Sequence, residues 1–219
     1  MSAADSKPKV IVITSSAARE GKTVTAINEA MALAEMGGKV LLLDGDIRKP
    51  RLRAIFDLPE GAGLSSYLTG QGSLESASFE IRRGRNGNGA TVGDTWGLLH
   101  VIPSGPLPPN PAELLGSRKM RDLLERLRAQ YDYIVIDTPP ALAVTDAVLL
   151  SALADKVLLV IRVHETPVEV VEKCVERLLR ARTSLLGVVL NDVDVSSLKY
   201  GARSYYSYYG DPDPVAHEA

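Results

Sequence analysis

The chain has 219 residues, 45% of them hydrophobic, and a net charge of −2, so it is long enough to bury a sizeable core. The slight acidic balance argues against a nucleic-acid-binding protein, which carries a basic excess. The single cysteine, Cys174, excludes a disulfide framework and a cysteine-rich metal site.

Residues Met1 to Pro8 are polar and lack the apolar core of a signal peptide. No apolar run approaches the roughly 20 residues that span a bilayer, so the expected location is cytoplasmic. An apolar run from Lys9 to Thr14 predicts a buried strand. It stops at the small-residue loop Ser15-Ser16-Ala17-Ala18-Arg19-Glu20, which opens a helix at about Gly21. Gly21-Lys22-Thr23 is the end of a phosphate-binding loop: backbone N–H groups at the helix start face an anion, a lysine reaches the β- and γ-phosphates, and a hydroxyl meets Mg²⁺. Ser16 stands where the usual pattern begins with glycine. The expected nucleotide contacts are Ala18, Arg19, Glu20, Gly21, Lys22, Thr23 and Val24.

The helix is predicted to run to about Met36 and to close at Gly37-Gly38. Lys39 to Asp44 is another continuous apolar run, as in strands buried on both faces, so strand, helix and strand make a parallel βαβ unit. That second strand ends in Asp44-Gly45-Asp46-Ile47-Arg48-Lys49-Pro50. In open α/β sheets ligands bind at this edge, and paired carboxylates beside a phosphate loop suit Mg²⁺.

Short helices are predicted near Leu52–Phe56 and Leu64–Thr69. Residues 82–95, rich in Gly, Asn and Arg, read as a solvated surface loop. A strand follows at Leu98–Ile102. Next, Asn110 is placed to cap one helix beginning at Pro111, with Leu114, Leu115, Met120, Leu123, Leu124 and Leu127 on its apolar face. Tyr131 to Asp137 is a third buried strand ending in a carboxylate, the second half of a P-loop nucleotide site. Strand Lys156–Arg162, helix 167–182 and strand Leu185–Leu190 continue the alternation. Within that helix Cys174 falls at core spacing. The expected fold is a single-domain P-loop NTPase-like α/β structure over residues 9–195, a mainly parallel sheet with helices on both faces. Residues 1–8 precede it. Residues 196–219 form a tail holding Tyr200, Tyr205, Tyr206, Tyr208 and Tyr209, a cluster without apolar period.

Together SSAAREGKT, LLLDGDIRKP, GPLPPNPAELL, YDYIVIDTPP, Val189–Asn191 and the tyrosine tail resemble the cytoplasmic catalytic domain of bacterial tyrosine kinases, regulators of capsular and exopolysaccharide synthesis. The stretch involved, about Val10 to Gly210, is nearly the whole chain. The resemblance implies ATP-dependent autophosphorylation of the tail. It makes Lys22, Asp44, Asp46 and Arg48 catalytic, with Thr23, Asp46 and Asp137 holding Mg²⁺, directly or through water. Asp44 is the candidate acceptor of the tyrosine proton, Arg48 aids phosphate or tail binding, and Asn191 reads adenine. It further implies a transmembrane activator of the polysaccharide chain-length type, homo-oligomers formed through tail exchange, a tyrosine phosphatase, and a peripheral position at the inner face of the plasma membrane.

The chain departs from the family in two places. Ala18-Arg19 replaces the common Pro-Gly, and no Glu-x-x-Arg-x-x-Arg motif precedes the first strand. Two other functions stay open at the level of sequence: a partition-type ATPase switch, which commonly has a lysine where Ala17 stands, and a nucleotide-binding regulator without enzymatic activity.

Overall fold

The computed structural model describes residues 8–81 and 98–194. In chain order the elements are β1 (Val10–Ser15), α1 (Lys22–Glu35), β2 (Val40–Asp44), α2 (Leu52–Ile55), α3 (Leu64–Thr69), α4 (Leu74–Ala77), β3 (Phe79–Ile81), β4 (Leu99–Ile102), α5 (Pro111–Leu115), α6 (Arg118–Gln130), β5 (Tyr133–Asp137), α7 (Asp146–Ser151), β6 (Lys156–Arg162), α8 (Val168–Arg180) and β7 (Leu185–Asn191). One sheet takes them in the order β3-β4-β2-β5-β1-β6-β7, parallel throughout except for the antiparallel β3–β4 pair at one edge.

Every residue of β1 and β2 is buried. Their side chains alternate between two separate cores, as the period of two in a strand requires. Val10, Val12, Leu41 and Leu43 face α6 and α8 through Met120, Leu123, Leu127, Cys174 and Leu178. Ile11, Ile13, Val40 and Leu42 face α1 through Ala26, Ala30 and Ala34. The alanine stripe removes side-chain bulk where α1 covers the middle of the sheet. The predicted architecture, helices on both faces of a mainly parallel sheet, is the one observed.

The predicted long helix from Pro111 is two helices. The chain breaks at Gly116, and Ser117 starts α6 by accepting a hydrogen bond from the Met120 N–H at 3.2 Å. Asn110 does precede Pro111, but its side chain makes no capping bond; its amide donates to Glu113 Oε2 instead. The tail tyrosines, the loop at 82–95 and residues 1–7 lie outside the described residues.

The strand order positions the site. β1 lies between β5 and β6, and β5 separates it from β2, so the C-terminal ends of three adjacent strands carry the phosphate loop, Asp137 and Asp44. Register pairs Asp44 with Asp137 across β2–β5, and Ile13 with Asp137 across β5–β1. Gly45 is needed here by close approach: its N–H donates to Asp137 O at 2.8 Å, and a Cβ would lie 2.7 Å from Leu150 Cδ1.

Candidate active site

The loop from Ser15 to Gly21 delivers the chain onto α1 with Gly21 at φ 93°, in the left-handed region that glycine adopts without strain. No side chain caps α1 and no acidic residue lies in its first turn, so its N-terminal N–H groups face the cleft unneutralised. Arg19 also has a positive φ, 69°, and as a non-glycine residue it bears the steric cost of that conformation.

Within the loop Glu20 is buried. Its carboxylate accepts from the Ala17 N–H at 2.6 Å and from the hydroxyls of Ser16 and Thr166. The Asn191 amide, at the end of β7, donates to Glu20 O at 3.1 Å. A Cβ on Gly21 would collide with that amide, at 2.1 Å. The loop's shape is therefore set by Glu20 from inside and by Thr166 and Asn191 from neighbouring strand ends.

Three carboxylates converge beside it. Lys22 Nζ lies 3.5 Å from Asp46 Oδ2, both side chains being largely buried. Thr23 Oγ1 donates to Asp137 Oδ2 at 2.7 Å. The other oxygen, Asp137 Oδ1, is buried and has no hydrogen-bond partner. Asp44 is fully enclosed; the N–H groups of Asp46, Arg51 and Leu52 each donate to it at 3.2 Å, so it organises the turn into α2.

Burial, reinforced by the charge of Asp137, pushes Asp44 up to about 7. Burial likewise raises Asp137 to about 6, against the opposing pull of the Lys22 charge and the Thr23 hydrogen bond. Among the described residues no group of three or more His, Cys, Asp or Glu side chains is arranged to hold a metal ion. The orphaned Asp137 oxygen beside a hydroxyl and a second carboxylate fits Mg²⁺, which binds through one or two carboxylates together with substrate phosphates.

Arg48 makes its ion pair with a residue outside the phosphate loop. Its guanidinium forks onto Asp146, with Nε–Oδ2 at 2.7 Å and Nη2–Oδ1 at 3.1 Å. Asp146 is completely buried at the start of α7, so this pair ties the Asp44–Arg48 turn to a segment distant in sequence. Neither Asp146 nor Thr166 is legible as a site residue from local pattern. Each acts through a partner that only the fold supplies.

A mainly parallel sheet of this order, with a phosphate loop after β1 and carboxylates at the ends of β5 and β2 beside it, defines a P-loop nucleotide-binding α/β protein. A family model described as an AAA domain matches residues 109–186. The tyrosine-protein kinase YwqD of Bacillus subtilis is 39% identical over 95% of this chain and 81% of its own length. Among solved structures, the chimerical protein CapA2B2 matches with a TM-score of 0.76 at 38% identity, covering 87% of this chain and 79% of its own. The kinase domain of the Escherichia coli tyrosine kinase ETK gives 0.76 at 33% identity, covering 88% and 71%. The septum site-determining protein MinD from Pyrococcus horikoshii, complexed with Mg-ADP, reaches a TM-score of 0.69 at 24% identity over 90% of this chain and 76% of its own, a likeness of fold alone. The chain belongs to the bacterial tyrosine-protein kinases, and its activity is that of a protein-tyrosine kinase. Among the described residues no helix is long and apolar enough to cross a membrane.

Proposed function

We propose that the kinase transfers the γ-phosphoryl group of ATP to Tyr200, Tyr205, Tyr206, Tyr208 and Tyr209 of a second copy of itself, and that this controls synthesis or export of a capsular or extracellular polysaccharide. The observation that carries the chemistry is the arrangement of Lys22 and Thr23 against Asp46 and Asp137, with Asp137 Oδ1 left without a protein partner.

In this scheme Lys22 leaves Asp46 to neutralise the β- and γ-phosphates. The open N–H groups at the start of α1, with the backbone from Ala18 to Val24, hold the phosphate oxygens. Thr23, Asp46 and Asp137 are the residues that would hold Mg²⁺, which when bound spreads the charge developing across the phosphates. Asp44, at about 7, lies in the range where a carboxylate takes a proton at neutral pH. It acts as the proton acceptor once the Arg51 and Leu52 N–H bonds loosen around substrate. Arg48, anchored on Asp146, holds the turn carrying both carboxylates. Asn191 exchanges its bond to Glu20 O for the adenine edge.

The wider assignments rest on family membership. They are a transmembrane activator of the polysaccharide chain-length type, oligomers formed by tail exchange, reversal by a tyrosine phosphatase, and a position beneath the plasma membrane. The test is incubation of the protein with ATP and Mg²⁺, with phosphotyrosine and free phosphate measured together. Phosphotyrosine on the tail supports the proposal; free phosphate with an unlabelled tail contradicts it.

A further inference from the structure

The cleft at the phosphate loop carries side chains that phosphoryl transfer leaves unused. The cleft is about 410 Å³, and its lining includes Val24, Ile55, Arg19, Lys49 and Arg51 as well as Lys22 and Asp46. Val24, in the first turn of α1, is 60% exposed and Ile55, at the end of α2, is 52% exposed. Two large apolar side chains thus face one polar cleft without a covering partner. Arg19, Lys49 and Arg51 are exposed too, and among the described residues none of them has an ion-pair partner. The neighbouring cations are all engaged: Lys22 with Asp46, Arg48 with Asp146, and Arg53 with the carbonyls of Pro59, Gly61 and Ala62. Asp46 is the one carboxylate on the lining, and Lys22 already faces it.

Exposed aliphatic groups beside a phosphate loop suit the ring of an incoming tyrosine, and a rim of unpaired cations suits carboxylates next to it in sequence. We propose that this part of the cleft is the acceptor-peptide subsite: Val24 and Ile55 pack the phenol ring, while Arg19, Lys49 and Arg51 select tyrosines followed by acidic residues. The chain itself supplies such a sequence, Tyr208-Tyr209-Gly210-Asp211-Pro212-Asp213. The proposal rests on the kinase acting on tyrosines of this segment and adds a specificity to it. The competing account is that the rim cations only balance the charge of the nucleotide.

The experiment compares two synthetic peptides, Ser-Tyr-Tyr-Gly-Asp-Pro-Asp and its counterpart with both aspartates replaced by asparagine. The full chain and a Lys49→Gln, Arg51→Gln double variant are assayed at saturating ATP and Mg²⁺. Both substituted side chains are exposed, and the Arg51 N–H that holds Asp44 is retained. For the wild type, KM for the acidic peptide is expected to lie roughly three- to tenfold below that of the neutral one, as rim charges permit. The double variant loses that difference, as does the wild type in high salt, while KM for ATP stays within about twofold. Ile55→Ser raises KM for both peptides. Binding of the labelled acidic peptide, followed by fluorescence anisotropy, gives the same ranking without turnover. Labelling of a Lys22→Met chain in the same reactions reports on the kinase assignment separately. Equal KM and equal binding for the two peptides, or a double variant in which KM for ATP rises instead, overturns the subsite.

Discussion

Replacing Lys22 by methionine removes the cation that faces Asp46 and Asp137, two enclosed carboxylates, so it acts on stability as well as on catalysis. At 3.5 Å from Asp46, and with an effective dielectric constant of about 20, the gross attraction is about 5 kcal/mol. Desolvation of both partners leaves about 1–3 kcal/mol net. The loss depends on pH. Asp44 and Asp137 have folded pKa values of about 7 and about 6, above the ordinary 3.8, so protons favour the native state. Their contribution is fully present below about pH 4 and is lost as pH rises through the folded values. Lys22 holds Asp137 down, so without it Asp137 rises further and the fall becomes steeper. In metal-free buffer Lys22→Met is expected to cost about 2 kcal/mol at pH 8, about 4–8 °C in Tm for a chain of this size. At pH 5, where Asp137 is largely protonated, the part of the cost that comes from Asp137 is lost while the Lys22–Asp46 part is kept, so the variant is expected to cost about 1 kcal/mol less than at pH 8. Urea unfolding of wild type and variant at both pH values measures the difference. A loss as large at pH 5 as at pH 8 would refute the electrostatic account of the cluster.

Asp146→Asn keeps the volume of a completely buried side chain but removes the charge facing Arg48; it is expected to destabilise by about 2–3 kcal/mol in urea and to lower kcat by displacing the Asp44–Arg48 turn. Arg19→Gly relieves a side chain held at φ 69° and should stabilise the fold by up to about 1 kcal/mol, the relief being partly offset by the freer unfolded chain. Burial drives the Cys174 thiol up to about 11, so an aromatic disulfide reagent should leave it unreacted at pH 8 until the protein unfolds.

The sheet was legible wherever a strand is buried on both faces. β1, β2, β5 and β6 come from apolar runs, and the predicted strands end at or within one residue of the observed ones. β3 has only Phe79, Glu80 and Ile81, at an antiparallel edge, and no alternation long enough to reveal it. The break between α5 and α6 was hidden because Leu114, Leu115, Met120 and Leu123 keep helical spacing across Gly116. In the site, Lys22, Thr23, Asp44, Asp46 and Asp137 announce themselves by type and by position at strand ends. What local sequence lacks is the pairing between distant segments: Arg48 with Asp146, Glu20 with Thr166, and Asn191 with the carbonyl of Glu20. Those contacts depend on which strand ends become neighbours, and the strand order β2-β5-β1-β6-β7 decides it.

The measurement that bears most directly on the site and its target mixes two chains: a Lys22→Met protein with its tail intact, and an otherwise wild-type protein with Tyr200, Tyr205, Tyr206, Tyr208 and Tyr209 replaced by phenylalanine. With ATP and Mg²⁺, phosphotyrosine is expected on the tail of the Lys22→Met chain. A tail that stays unlabelled there, while wild-type protein labels its own at a rate independent of concentration, would contradict transfer between chains; labelling of Lys22→Met protein incubated alone would contradict the phosphate-loop assignment itself.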